Sequence, residues 1–129
     1  MNARNVQRFQ GKGTDLDDLR AGVESYLTSE GFVVQTAPAG EDGTVIQAKR
    51  GDRLSEVFAA DRALSVLISG EPDDFTVQIG LGRWRQHLGV AAAETLFLSA
   101  LFLPIDVAEM AWNVQVELGL ARHIESLIG

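Results

Sequence analysis

The 129-residue chain contains no cysteine. This excludes disulfides, thiolate metal sites and cysteine nucleophiles, and nothing else in the sequence points to an oxidising compartment. Positive charge is also scarce: eleven Lys and Arg stand against eighteen Asp and Glu, a net charge of −7. General nucleic-acid binding needs clustered cations on phosphate, so no nucleic-acid partner is expected. Histidine is limited to His87 and His123, with no H-x-x-x-H spacing, and Glu94 or Glu125 is the nearest acid to join either. No metal site follows from that, and no nucleophile–base–orienter set is visible for Ser25, Ser55, Ser65 or Ser99. Internal repeats and low-complexity segments are absent. The opening stretch 1–14 is polar and basic with no apolar segment behind it, so it reads as a flexible lead and not as a secretory signal.

What remains is a single-domain composition, 46% apolar and 22% charged, placed in residues 15–129. Leu16, Leu19, Val23, Tyr26 and Leu27 fall on one stripe, which predicts a helix over 15–30. Thr14 or Asp15 can cap it, and Gly31 sits where a helix-ending glycine belongs. A β-rich run at 32–36, turn residues 38–43 and a second run at 44–49 predict an antiparallel hairpin. Residues 50–62 are ambiguous; Leu54, Val57 and Phe58 suit a short turn or helix. Strands are expected at 63–69 and 75–80 around the turn Gly70-Glu71-Pro72-Asp73-Asp74, with Gly80-Leu81-Gly82 ending the second. A helix over 84–102, a break at Pro104 and a capped helix over 107–128 complete the chain. The expected class is α+β: a four-stranded antiparallel sheet in α-β-β-β-β-α-α order with helices packed on one face.

Gly80-x-Gly82 between strand and helix invites a phosphate-loop reading. Arg85 occupies the third-glycine position, however, and the strand belongs to an antiparallel meander where a βαβ unit is required. The expectation is a backbone turn, no cofactor and no enzyme activity. Paired acids Asp17-Asp18 and Asp73-Asp74 occupy a helix start and a turn, which are solvated positions.

Several stretches carry a resemblance: Gly31-Phe32-Val33-Val34-Gln35, residues 45–50, Ala63-Leu64-Ser65-Val66 and Val77-Gln78-Ile79-Gly80-Leu81-Gly82-Arg83-Trp84. With the order of elements, they resemble a family of small bacterial proteins sharing a helix, a four-strand meander, a V-x-I-G-x-G-x-W motif and apolar C-terminal helices, over about residues 15–112. Some members carry a zinc ribbon, which this chain lacks, and others a C-terminal region apolar enough to look membrane-embedded. The resemblance implies a shared fold and no particular activity.

Two features bear on function. The first is charge layout. The two hairpin turns gather Glu41, Asp42, Glu71, Asp73 and Asp74 at one end of the sheet. Lys49, Arg50, Arg53, Arg62, Arg83 and Arg85 fall at the other, offset by Asp52, Glu56 and Asp61 to about +3. A solvated rim is the plain explanation; an anion or acidic-lipid contact through Lys49, Arg50, Arg53, Arg83 and Arg85 is the functional one. The second is the apolar run 88–105, whose only ionisable residue is Glu94. Flanking Arg83 and Arg85, bracketing Trp84 and Trp112, and a length near the ~20 residues of a membrane span favour a bilayer. Glu94 opposes it, at roughly 2.5–3.5 kcal/mol near a span's centre, as do the many alanines and the early arrival of Asp106 and Glu109.

A soluble fold leaves apolar surface to spare. The last helix carries one stripe through Met110, Val114, Leu118 and Ala121 and another through Trp112, Val116, Leu120, Ile124 and Leu127. Such surplus marks an interaction site. The contact residues expected are Trp84, Leu96, Phe97, Leu101, Phe102, Met110, Trp112, Val116 and Leu120, and a symmetric homodimer or a protein partner is the simplest cover. The leading expectation is a non-catalytic, self-associating interaction module in the cytoplasm. The alternatives are a peripheral protein at the inner membrane face and, by analogy of size and charge, a small acidic chaperone-like binder with an apolar groove on the sheet's free face.

Overall fold

A computed structural model of the chain describes residues 5–39, 43–50, 62–85, 88–89 and 107–128. Its described elements are β1 (Asn5–Gln10), α1 (Leu16–Ser29), β2 (Phe32–Pro38), β3 (Gly43–Arg50), β4 (Arg62–Glu71), β5 (Asp74–Arg83) and α2 (Val107–Ile128). The strands form one antiparallel sheet in the order β1-β5-β4-β3-β2. The protein is therefore α+β, and its described residues form a five-stranded sheet where four strands were expected.

The additional strand comes from the stretch read as a lead. Its alternation is faint, since Phe9 turns to the core while Val6, 57% exposed, turns outward. It is held by its partner strand. Phe9 lies opposite Phe75 with ring centroids 5.2 Å apart, and Arg8 makes a two-pronged contact with Asp74 at 3.0 and 2.9 Å. That contact holds the Asp74 carboxyl below its ordinary range, first through the hydrogen bond from Arg8. An edge strand this polar carries little period-2 signal.

Helix α1 follows its apolar stripe: Leu19, Val23 and Leu27 are buried. Asp15, and not Thr14, is the cap; its side chain accepts from the amides of Asp17 and Asp18 at 2.9 and 3.2 Å. Thr14 instead donates its backbone N–H to Pro72 O, and Gly13 donates to Asp73 Oδ1 at 2.8 Å. The acidic turn thus anchors the β1–α1 connection. The edge position of β2 tolerates Pro38.

Side-chain alternation divides the sheet into two faces. The first carries Phe32, Ile46, Ala48, Leu64, Val66, Ile68, Phe75, Val77 and Ile79, and α1 and α2 close over it with Leu19, Val23, Leu27, Leu120, Ala121 and Ile124. The second carries a separate cluster of Ala37, Ala39, Val45 and Leu67, joined by Leu88. Leu88 and Gly89 are helical, so the chain places helical residues on the face opposite α1 and α2. The expectation that all helices share one face does not hold at Leu88. Trp84 and Arg85 lie outside any helix, so the helix expected from 84 begins later, and the remainder of that helix and the ambiguous segment 51–61 fall outside the described residues.

Gly70 precedes the β4–β5 turn at φ 121°, a region closed to side chains. A Cβ there would sit 2.8 Å from Phe75 Cα and would press on Asp74 O. Gly70→Ala is expected to lower the unfolding free energy by about 2 kcal/mol, read as a fall in the urea midpoint at unchanged slope.

Candidate functional site

The chemistry-bearing residues converge where β5 leaves the sheet. Strand β5 does not stop at the Gly-x-Gly pair. It runs to Arg83, with Gly80 opposite Ser65 and Gly82 opposite Ala63. These glycines are interior strand positions on the second face, which removes the phosphate-loop geometry altogether. A row of polar residues crosses that face: Gln35 of β2, Gln47 of β3 and Ser65 of β4, in direct register, ending at Gly80. Gln47 and Ser65 are wholly buried.

The row is a hydrogen-bonded clamp. Gln35 Nε2 donates to the backbone carbonyl of Arg85 at 2.6 Å and to Gln47 Oε1 at 3.2 Å. The Arg85 backbone N–H donates to the same Gln47 oxygen at 3.0 Å. Gln47 Nε2 donates to Ser65 Oγ at 3.1 Å. Both backbone groups of Arg85 are thus met by glutamines projecting from the middle of two strands. Buried amides cost free energy unless paired, and this arrangement pairs them. Its effect is to bend the chain from the end of β5 back across the second face, so that Leu88, 3% exposed, lands on Val45 and Leu67. Lys49, next to Gln47 but one, holds its Nζ 4.6 Å from the centre of the Trp84 ring, a cation–π contact beside the clamp. Nothing in the spacing of Gln35, Gln47 and Ser65 marks them as a set. Only the strand register brings them together.

Of the basic residues singled out from sequence, Lys49 and Arg85 are half-buried at this corner, and Arg50 and Arg83 end β3 and β5 at the same end of the sheet. Arg53 lies outside the described residues. Of the apolar contact residues, Trp84 is half-buried under Lys49, and Leu120 is fully buried in the core between α2 and α1. Leu120 is therefore not available to a partner. Leu118, about 200° around the helix from it, is 45% exposed. Leu96, Phe97, Leu101 and Phe102 fall outside the described residues. The backbones of Met110, Trp112 and Val116 belong to α2.

The second face is closed at Val45, Gln47, Ser65 and Leu67, so these positions offer no open apolar groove. His123 packs its ring on Tyr26 at 4.5 Å between centroids. Burial, with Glu30 adding to it, pushes the Tyr26 hydroxyl above its ordinary value. His87 is not among the described residues. Those residues contain no cluster of three His, Cys, Asp or Glu able to hold a metal, and no helix long and apolar enough to cross a membrane. Two shallow depressions, of about 490 and 260 Å³, open around the start of α1, far from the β5 exit. No protein-family model matches the chain, and no match was found among curated proteins or solved structures.

Proposed function

We propose that the domain is a non-catalytic interaction module that associates with a second copy of itself through its C-terminal helices. The observation that carries this reading is the division of α2. Leu120 and Ile124 are buried against α1 and the sheet, while Leu118 stands 45% exposed further around the same helix; Ala121, expected on the Leu118 stripe, is buried with Leu120 and Ile124. By helical spacing, Met110 and Val114 extend the stripe of Leu118 toward the start of α2. A helix already sealed on one side and apolar on another is suited to pack against its own copy about a two-fold axis, because one stripe then serves both partners.

Sedimentation equilibrium tests the reading. The wild-type chain is expected to run as a dimer, and Leu118→Glu to weaken association at least tenfold while the far-ultraviolet circular dichroism stays the same. A wild-type chain that remains monomeric at high concentration would rule the dimer out.

A further inference from the structure

Strand β1 is attached to the sheet differently from the other four. Of its side chains Phe9 meets the core, and it packs half-buried against a cluster whose buried members all come from α1, α2 and β2–β5. The side chains of the Arg8–Asp74 ion pair are 62% and 49% exposed, and a pair so open to water holds little. Gln7 donates from Nε2 to Glu125 Oε1 of α2 at 2.7 Å, but its own Oε1 is buried with no partner among the described residues. An unpaired buried acceptor is a cost of the closed state that water removes on opening. The hinge is equally defined. Gly11 N–H donates to Asp73 O at 2.8 Å, so the connection from Gly11 onward stays fixed to the β4–β5 turn. Beyond its chain neighbours, nothing lies within 4 Å of where a Gly11 Cβ would stand, which leaves the chain before it room to swing.

We propose that β1 is a detachable strand, which opens from β5 as a unit at Gly11 while the four-strand meander and both helices stay folded. Lying outermost in the sheet, β1 gives up one ladder when it leaves, whereas release of β4 or β5 breaks two. The register pairs from Asn5↔Ile79 to Gln10↔Asp74 part together, because no second neighbour holds the middle of the strand. The other outermost strand is secured where β1 is not. Strand β2 buries Phe32 and Ala37, and its Gln35 is tied into the clamp. Opening gives β5 an unpaired rim from Asp74 to Ile79 and uncovers the face of the Phe75 ring on which Phe9 stacks. Unpaired strand rims accept extended segments through main-chain hydrogen bonds. In the closed state β1 is thus an intramolecular plug on a strand-pairing site. The device is independent of the α2 stripe, so a monomeric chain has it equally.

Native-state amide exchange of the full chain tests the proposal. Ladder amides of β1 are expected to be protected about 10²–10³-fold, and those of β4 at least about tenfold more. Exchange in β1 is expected to be insensitive to low urea, because its release exposes little surface. Ile46→Val separates local from global opening. It deletes one methylene group in β3, with β4 and β5 standing between it and β1. Protection in β4 is expected to fall about fivefold while that in β1 is unchanged. Because the chain has no cysteine, Val6→Cys/Gln78→Cys joins two register partners by a single disulfide. Oxidised, this variant is expected to protect β1 amides as strongly as those of β4; reduced, to exchange as the wild type does. Equal losses in β1 and β4 on Ile46→Val overturn the proposal, since β1 would then open only with the whole domain. A disulfide that leaves β1 exchange unchanged overturns it, and so do unprotected β1 amides, since the strand would then not be seated.

Discussion

Phe75→Ala is expected to remove about 3–5 kcal/mol of unfolding free energy. Phe75 is 1% exposed near the start of β5, among the residues of the first face, and stacks on Phe9 of β1. Truncation leaves a ring-sized void and takes from β1 the aromatic partner that ties it to the sheet. The neighbouring backbone cannot collapse into the space easily, because the residue opposite is Gly70, held at positive φ in the approach to the turn. Domains of this size have only about 5–15 kcal/mol in total, so the variant is expected to lie near its unfolding threshold at body temperature. Urea unfolding followed by circular dichroism measures the loss. Phe9→Ala, at a half-buried edge, is expected to cost less. A Phe75→Ala loss below about 1 kcal/mol would mean that this face is not the packed core described.

Gln47→Leu is expected to cost about 2–4 kcal/mol, although it replaces a buried polar side chain by an apolar one of similar size. Burying leucine is favourable in itself. The loss comes from the groups left behind: the Arg85 N–H and the Ser65 hydroxyl lose the partner that Gln47 gives each of them, and Gln35 loses one of its two. Each such group, kept from water, costs about 1–3 kcal/mol. The signature is local as well as global. Amide exchange at Arg85 is expected to accelerate more than exchange in α1, and Trp84 emission to shift to the red as the β5 exit loosens, measured with Trp112 replaced by Phe. Ser65→Ala, which removes one partner of Gln47 and keeps the clamp on Arg85, is expected to cost less. A stabilised Gln47→Leu would show that the row contributes nothing to the bend.

Much of the fold could be read from residue order because its signals are local. The stripe through Leu19, Val23 and Leu27, the Pro72-Asp73 turn and the alternation of Phe75, Val77 and Ile79 each lie within a few residues of chain, and the structure places α1 and the β4–β5 hairpin on them. Helix α2 has the bounds expected from its capping spacing. The N-terminal strand escaped notice because its evidence lies some seventy residues away in β5. On its own, a segment with Val6 outward and Phe9 inward between polar neighbours has no visible face. The clamp was hidden for a related reason. Gln35, Gln47 and Ser65 look like solvent-facing positions of half-buried strands until the register aligns them under the chain that follows β5. Gly80 and Gly82 looked like a strand end because glycine commonly breaks strands, whereas here β5 continues through both. The basic end of the sheet was legible as composition; the pairing of Arg62 with Arg83 was not.

The partnership of the first strand with the last also sets an order of assembly. Asn5 meets Ile79, so β1 leaves the ribosome long before its template exists. The four-strand meander β2–β5 joins neighbours in sequence and can zip from its hairpins, whereas β1 must wait for a large loop to close. Until then β5 presents a bare edge, and β1 is the cover that retires it.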